Sequence, residues 1–308
     1  MTYGVSGAKP PSRNEKRIVA REKAQQRRKE QKKKEKRNRV LLQGGLIVGA
    51  LAVVGAIIFA IVAGMPKTNP GPLNMLSDGI RIGADFTAET TAALQPDDDP
   101  VASVPSDDPE VVDIRIYLDY FCPACGAFEA ANTEQLATWV ESGAATLEIH
   151  PVAILDRASL GSKYSTRAAN AAACVANYSP DDFFAFNTLL FANQPEEGTE
   201  GLSNDDLLTL AEKAEVEGLS LIETCVSEVR FQKWVNAATA RAFEGPLPNA
   251  DIEKVQGTPT VIVNGLQYTG ATNDAAEFAK FVSTASGNAF SDELKSTQEP
   301  SASPVPSS

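Results

Sequence analysis

The chain has 308 residues, of which 43% are hydrophobic and 22% are charged. These ordinary globular values exclude a wholly disordered chain, a collagen-like fibre and a small disulfide-dense protein. The net charge of -12 combines two opposite parts, since residues 1–39 contain 15 Lys and Arg against 4 Asp and Glu, whereas residues 40–308 contain 13 against 36. Because the larger part is strongly acidic, we expect no nucleic acid among its partners.

An uncharged apolar segment, Val40–Gly64, separates these two parts. Its 25 residues are long enough to cross a hydrocarbon layer of about 30 Å as a helix. A cleaved signal peptide is the alternative, but its apolar region would be shorter, and no small-residue cleavage site precedes Met65. We therefore expect residues 40–64 to be a single transmembrane helix in the cell membrane, acting as a signal anchor.

Residues 1–39 are then predicted to be a basic cytoplasmic arm that contacts anionic headgroups of the lipid bilayer, because Lys and Arg concentrate on the cytoplasmic side. The chain beyond the anchor is expected to be extracytoplasmic. Its first part, residues 65–110, is rich in proline and acidic residues and is predicted to be a linker, with a short strand near Asp78–Gly83. Residues 291–308 have a similar composition and are predicted to be a disordered tail.

The intervening residues 111–290 carry the signals of a folded domain. Apolar and polar residues alternate over Val112–Asp119 and again over Ala145–Ile149, which predicts two strands. A helix with apolar residues at helical spacing lies between them, and Cys122 and Cys125 stand at its start. Asp113 and Arg115 give the first strand a polar side, which we expect at its exposed beginning.

A helical block and a hairpin complete this domain. The hairpin is predicted from two apolar runs, Thr258–Val263 and Leu266–Thr269, around Asn264 and Gly265. Helices are expected over Lys163–Asn177, Pro180–Phe191, Asn204–Val216, Leu219–Phe243 and Asn273–Ser286. The order strand, helix, strand, helical block, hairpin and helix indicates an α/β fold.

The spacing and position of Cys122 and Cys125 point to redox chemistry. A thiol at the start of a helix lies near unpaired backbone N–H groups and the positive end of the helix dipole, so we expect Cys122 to ionise readily. Pro123 suits the first helical turn. Cys125 lies nearly one turn further in, within reach of Cys122, so the two sulfurs can form a reversible disulfide. We expect Cys125 to be the more buried of the two thiols.

Two other interpretations of this pair remain open. It is either a static structural disulfide or half of a zinc site, but His150, Cys174 and Cys225 supply no second closely spaced pair of ligands, and no metal is expected. Asp119, three residues before Cys122, is a candidate proton acceptor during thiol exchange. A solvated aspartate at a strand end is the competing interpretation.

The sequence FCPAC after the strand VDIRIYLDY, together with the later GTPTVIVNG, resembles the DsbA-like thiol-disulfide oxidoreductases of the thioredoxin superfamily. The similarity is greatest to membrane-anchored members from Gram-positive, particularly actinobacterial, cell envelopes. It implies a thioredoxin-like fold with a helical domain inserted at about residues 156–245. It also implies a cis peptide at Thr258–Pro259 that faces the cysteines and binds substrate, and a structural disulfide between Cys174 and Cys225.

The resemblance implies a membrane-tethered enzyme, without a cofactor, that forms disulfides in unfolded or reduced exported proteins. Its implied reoxidising partner is a quinone-linked membrane protein similar to vitamin K epoxide reductase. A reductase or isomerase of the same fold, for example in cytochrome maturation, is the alternative within this chemistry. A tethered peptide-binding or chaperone module with a structural disulfide is the alternative from another class.

Overall fold

A computed structural model of the protein describes residues 28–29, 32–34, 70–96 and 98–298, with side chains only up to residue 287. Residues 28–29 and 32–34 are helical and exposed. The predicted membrane helix at residues 40–64 lies outside these described residues. Within them, none of the helices combines the length and the apolar character needed to cross a bilayer.

One mixed sheet of five strands forms the centre of the domain. Its strands in spatial order are β1 (Ile80–Ile82), β3 (Ala145–Pro151), β2 (Val112–Leu118), β4 (Thr260–Val263) and β5 (Leu266–Tyr268). The central strand β2 is parallel to β3 and antiparallel to β4, and the two outer pairs are antiparallel. The carboxyl end of β2 leads directly to Cys122.

The described helices follow in the order expected for an α/β fold, and this class is confirmed. The first joins β2 to β3, the next five lie between β3 and β4, and the last follows β5. They are α1 (Pro123–Glu141), α2 (Tyr164–Tyr178), α3 (Phe183–Ala192), α4 (Asn204–Lys213), α5 (Leu219–Ser227), α6 (Gln232–Glu244) and α7 (Ala275–Gln298).

An aromatic cluster joins α1 and α7 to the sheet on one face. The ring of Phe278 in α7 lies 5.1 Å from that of Phe128 in α1 and 5.2 Å from that of Tyr268 in β5. Both contacts have the edge-to-face arrangement that aromatic pairs favour. This packing fixes the position of α1, and therefore of the cysteines at its start.

The opposite face of the sheet carries charged side chains that are largely buried. Arg115 and Glu148 are neighbours in the register of β2 and β3 and form an ion pair of 3.0 Å, with side-chain exposures of 12% and 7%. Asp113 pairs with Arg81 of β1 at 2.7 Å. The expectation that Asp113 and Arg115 lie at an exposed strand end is therefore wrong for Arg115, whose charge is paired across the sheet.

Much of the predicted linker belongs to the folded domain. Met75, Ile80 and Ile82 are fully buried, and residues 98–110, which we name the strap, are tied to the polar face of the sheet. Ser103 in the strap donates a hydrogen bond of 2.6 Å to Glu148. This segment was predicted to be a linker because its sequence contains few apolar side chains. In the structure, polar contacts hold it against the sheet instead.

Two further boundaries differ from the prediction. The single helix expected over Leu219–Phe243 is divided into α5 and α6, because Val229 adopts a left-handed φ of 45° and the Phe231 N–H donates to the buried side chain of Asn170 at 2.8 Å. At the C-terminus, α7 continues to Gln298 and so includes the start of the predicted tail. Residues 299–308 lie outside the described residues.

Candidate active site

Cys122 occupies the N-cap of α1, and a short turn separates it from Leu118, the last residue of β2. Pro123 follows in the first turn, which contains no acidic side chain. The thiol lies 3.2 Å from the carbonyl oxygen of Thr258, to which it can donate a hydrogen bond. The thiol of Cys125 makes the largest contribution to lowering the pKa of Cys122 to about 6, burial opposes this change, and Thr258 and the backbone N–H groups of Cys125 and Ala124 add to it.

Cys125 has the opposite environment. Its side chain is 1% exposed, against 8% for Cys122. Burial raises the pKa of the Cys125 thiol well above its usual range, and the neighbouring Cys122 raises it further. Both thiols are free in this structure. One sulfur therefore ionises near neutral pH while the other keeps its proton.

Thr258 and Pro259 lie beside this pair, as the hydrogen bond to the Thr258 carbonyl shows. The peptide bond between them is cis. The other two cysteines, Cys174 and Cys225, are joined in a disulfide between α2 and α5. Within the described residues, no group of three or more His, Cys, Asp or Glu side chains is arranged to bind a metal ion.

Asp119 is fully buried at the end of β2. One carboxylate oxygen accepts hydrogen bonds from the Phe121 N–H and the Ser165 hydroxyl, at 2.9 and 2.7 Å. The other accepts from the N–H groups of Ile154 and Leu155, at 2.8 and 3.0 Å. Through these contacts the carboxylate joins the end of β2 to the loop after β3 and to α2. Proton transfer by Asp119 stays a prediction.

A comparison with protein-family models finds a match over residues 109–283 to a family described as thioredoxin. The chain belongs to this thioredoxin family. The membership expected from the cysteine motif and its strand-to-helix position is thereby confirmed. A comparison with curated protein sequences gave no significant match.

Solved structures similar to this thioredoxin-family chain include disulfide oxidoreductases. Reduced DsbG from Mycobacterium tuberculosis is 29% identical, covering 69% of this chain and 94% of its own, with a TM-score of 0.49. Reduced DsbA from the same organism is 27% identical, covering 68% and 99%, with a TM-score of 0.47. Oxidised BdbD from Bacillus subtilis is 18% identical, covering 72% and 100%, with a TM-score of 0.50, a likeness of fold.

The structure adds a buried carboxyl that sequence reasoning missed. Glu129 lies four residues after Cys125 in α1 and is 4% exposed. Burial raises the pKa of Glu129 to about 7, although hydrogen bonds with Thr133 and Asn187 oppose the increase. The i, i+4 spacing from Cys125 would have placed both side chains on one face of the helix. This spacing was the signal in the sequence that could have identified Glu129 as a neighbour of the cysteine pair.

Gln194 is a second residue that was missed. It follows the end of α3, and its side-chain amide donates hydrogen bonds to the carbonyls of Tyr120 and Cys122, at 3.1 and 2.9 Å. Nothing in the sequence connects it with the cysteines, because 72 positions separate it from Cys122.

The alkylation rate of Cys122 should follow a titration with a midpoint near pH 6, because the thiolate is the reactive form. Iodoacetamide kinetics on the reduced protein measure it, with Cys122→Ser as the control. Since the folded-state pKa is lower than that of the unfolded chain, the thiolate stabilises the reduced fold at high pH, and this contribution is lost as the pH falls through about 6. A midpoint near about 8.5, the value of a free cysteine, would contradict the assignment.

Replacing Glu129 with Gln should change how stability depends on pH. Because the folded-state pKa is raised, the wild-type protein loses stability as the pH rises from about 4.5 through about 7, and Glu129→Gln should not show this loss. Urea unfolding at pH 5 and pH 8 tests the difference. Glu134→Gln, an exposed change on the same helix, is the control and should behave as wild type. Parallel pH dependence in Glu129→Gln and wild type would disprove the effect.

Proposed function

We propose that the protein is a thiol-disulfide oxidoreductase that forms disulfides in exported proteins through Cys122 and Cys125. The observation that carries this proposal is the asymmetric placement of two free thiols: Cys122 occupies the N-cap of α1, 3.2 Å from the Thr258 carbonyl, whereas Cys125 is 1% exposed. In agreement with this placement, the pKa is lowered for Cys122 and raised for Cys125. A static disulfide does not require this asymmetry. An exchange enzyme does, because one sulfur must leave readily as a thiolate.

The reaction begins with the pair oxidised. A client thiolate attacks the sulfur of Cys122, the bond between Cys122 and Cys125 breaks, and Cys125 takes up a proton. A second client thiolate then attacks the client sulfur of this mixed disulfide, and Cys122 departs as a thiolate. The client loses two electrons and the enzyme cysteines gain them. The low pKa of Cys122 favours this second departure.

We assign Thr258 and Pro259 to substrate binding. The support is their position beside the reactive sulfur, with the Thr258 carbonyl 3.2 Å from it. Backbone groups at this point would bind an extended client segment through its main chain, so recognition would depend little on client sequence.

We assign the disulfide between Cys174 and Cys225 a structural role. With 51 positions between them, loop closure predicts a stabilisation of about 4 kcal/mol.

We further propose that residues 40–64 tether this enzyme to the membrane, with the basic arm in the cytoplasm and the catalytic domain outside. The support is the apolar length of the segment and the charge that precedes it. Each turnover leaves the enzyme reduced, so an oxidant must regenerate it. A quinone-linked membrane protein similar to vitamin K epoxide reductase is the partner that we propose.

In the Cys125→Ser variant the Cys122 thiolate should attack disulfides of client proteins, expel one client thiolate and remain joined to the client, because the thiol that would reverse this adduct is gone. Non-reducing gels of intact cells expressing the full chain measure these adducts. The Cys122→Ser variant is the control and should form none. Absence of adducts in Cys125→Ser would refute client exchange.

The reduction potential of the cysteine pair tests the direction of electron flow. A value close to that of DsbA, about -120 mV, would support the proposed oxidase, and a value close to that of thioredoxin, about -270 mV, would identify a reductase instead.

Membrane attachment is tested by fractionation and by the mature N-terminus. The full chain should remain with the membranes after carbonate extraction, whereas a variant lacking residues 1–64 should be soluble, because the apolar segment supplies the attachment. Mass spectrometry should find residues 1–64 retained in the mature protein. A mature chain that starts after residue 64 would identify a cleaved signal peptide instead.

A further inference from the structure

Besides the Asp119 contacts with α2, several groups on α3 or directly after it contact the turn that carries Cys122. The hydroxyl of the fully buried Tyr120 donates to the side chain of Asn187 at 3.0 Å, and its ring lies 5.1 Å from that of Phe191. The carbonyl of the same tyrosine accepts a hydrogen bond from Gln194. The residue two positions before the reactive cysteine is thus fixed by its ring, its hydroxyl and its backbone.

The side-chain amide of Gln194 contacts two carbonyls of this turn at once. Its nitrogen lies 3.1 Å from the Tyr120 oxygen and 2.9 Å from the Cys122 oxygen. An amide nitrogen has two hydrogens, so both bonds form together, and only the nitrogen end of the amide can satisfy two acceptors. The Cys122 oxygen also accepts from the Gly126 N–H at 3.1 Å. Two donors therefore determine the orientation of the peptide group after Cys122.

Gly126 leaves the space that the Gln194 amide occupies. A Cβ atom on this glycine would lie 2.1 Å from Oε1 and 3.0 Å from Cδ of Gln194. Glycine inside a helix costs about 1 kcal/mol relative to alanine. The close approach of Gln194 gives a physical reason for a glycine at this position, one turn beyond Cys122.

We propose that Gln194 is a positioning residue for the reactive cysteine: its amide fixes the Tyr120 and Cys122 carbonyls and thereby keeps the N–H groups of the first turn of α1 aimed at the Cys122 sulfur. This inference deepens the proposed function and rests on it only for its biological meaning. The N–H groups of Ala124 and Cys125 belong to that first turn and contribute to the low pKa of Cys122. Gln194 acts on the sulfur through the backbone.

The test measures the midpoint of Cys122 alkylation, which does not require a client or any enzymatic turnover. Gln194→Ala removes both donors, and Gln194→Glu replaces them with a carboxylate that cannot donate. Each should raise the midpoint by at least about half a pH unit, roughly a threefold loss of thiolate at a given pH below the midpoint. Asn193→Ala is the matched control, because that side chain bonds to the Leu189 carbonyl on the exposed end of α3. It should leave the midpoint unchanged.

Gly126→Ala disturbs the same contact from the other side while favouring the helix. In the wild-type background the new methyl group should displace the Gln194 amide and raise the midpoint to a similar extent. In the Gln194→Ala background the space is free, so the glycine change should add nothing. This non-additive pattern distinguishes positioning from general loss of stability, which unfolding of the oxidised proteins measures separately.

Unchanged midpoints in Gln194→Ala and Gln194→Glu would overturn the inference. So would a shift from Gly126→Ala that is as large in the Gln194→Ala background as in the wild-type background. The proposed function would survive either result, provided that Cys125→Ser still traps clients. Loss of trapping with the midpoint shifts intact would remove the function and leave the positioning role in place.

Discussion

The opposed environments of two sulfur atoms are the constraint on which the rest of the site depends. Cys122 lies at a helix start, where the Cys125 thiol and, to a smaller extent, Thr258 and backbone N–H groups stabilise its thiolate, and Cys125 lies in the core, where burial retains its proton. Attack by Cys125 on a mixed disulfide requires its deprotonation, which its burial disfavours. In the proposed reaction, an adduct on Cys122 would therefore persist until a second client thiol reaches it.

Four separate parts of the chain hold the turn between β2 and α1 in place. The Asp119 carboxylate joins it to the loop after β3 and to α2, the Gln194 amide joins it to α3, and the Thr258 carbonyl approaches the Cys122 sulfur from the segment before β4. Asp119, Gln194 and Thr258 all lie outside the Cys-Pro-Ala-Cys motif. The CxxC motif supplies the two reactive thiols. Residues distant in sequence hold the backbone whose N–H groups contribute to the low pKa of Cys122.

The local part of this site was predictable from residue patterns, whereas the non-local part was predictable only where the family resemblance supplied it, as for Thr258 and Pro259. Alternation identified β2, the position of the cysteines identified the start of α1, and Asn264-Gly265 identified the hairpin, because each signal lies within a few neighbouring residues. The contacts of Gln194 depend on how α3 packs against α1, which no local pattern encodes. The break at Val229 has the same origin, since the buried side chain of Asn170 in α2 binds the Phe231 N–H.

The strap shows why composition alone misjudged the boundary of the domain. A segment poor in apolar side chains cannot drive its own burial, but the sheet face beneath it offers polar partners instead of an apolar surface. Burial raises the pKa of Glu148, yet the neighbouring His150 and Arg115 lower it by more, so the net change is downward and the carboxylate is ionised. Removing one member of such a buried pair leaves the other charge unpaired and is costly. A polar strap that donates from Ser103 therefore suits this face better than an apolar helix would, and the acidic, proline-rich sequence is compatible with an ordered position.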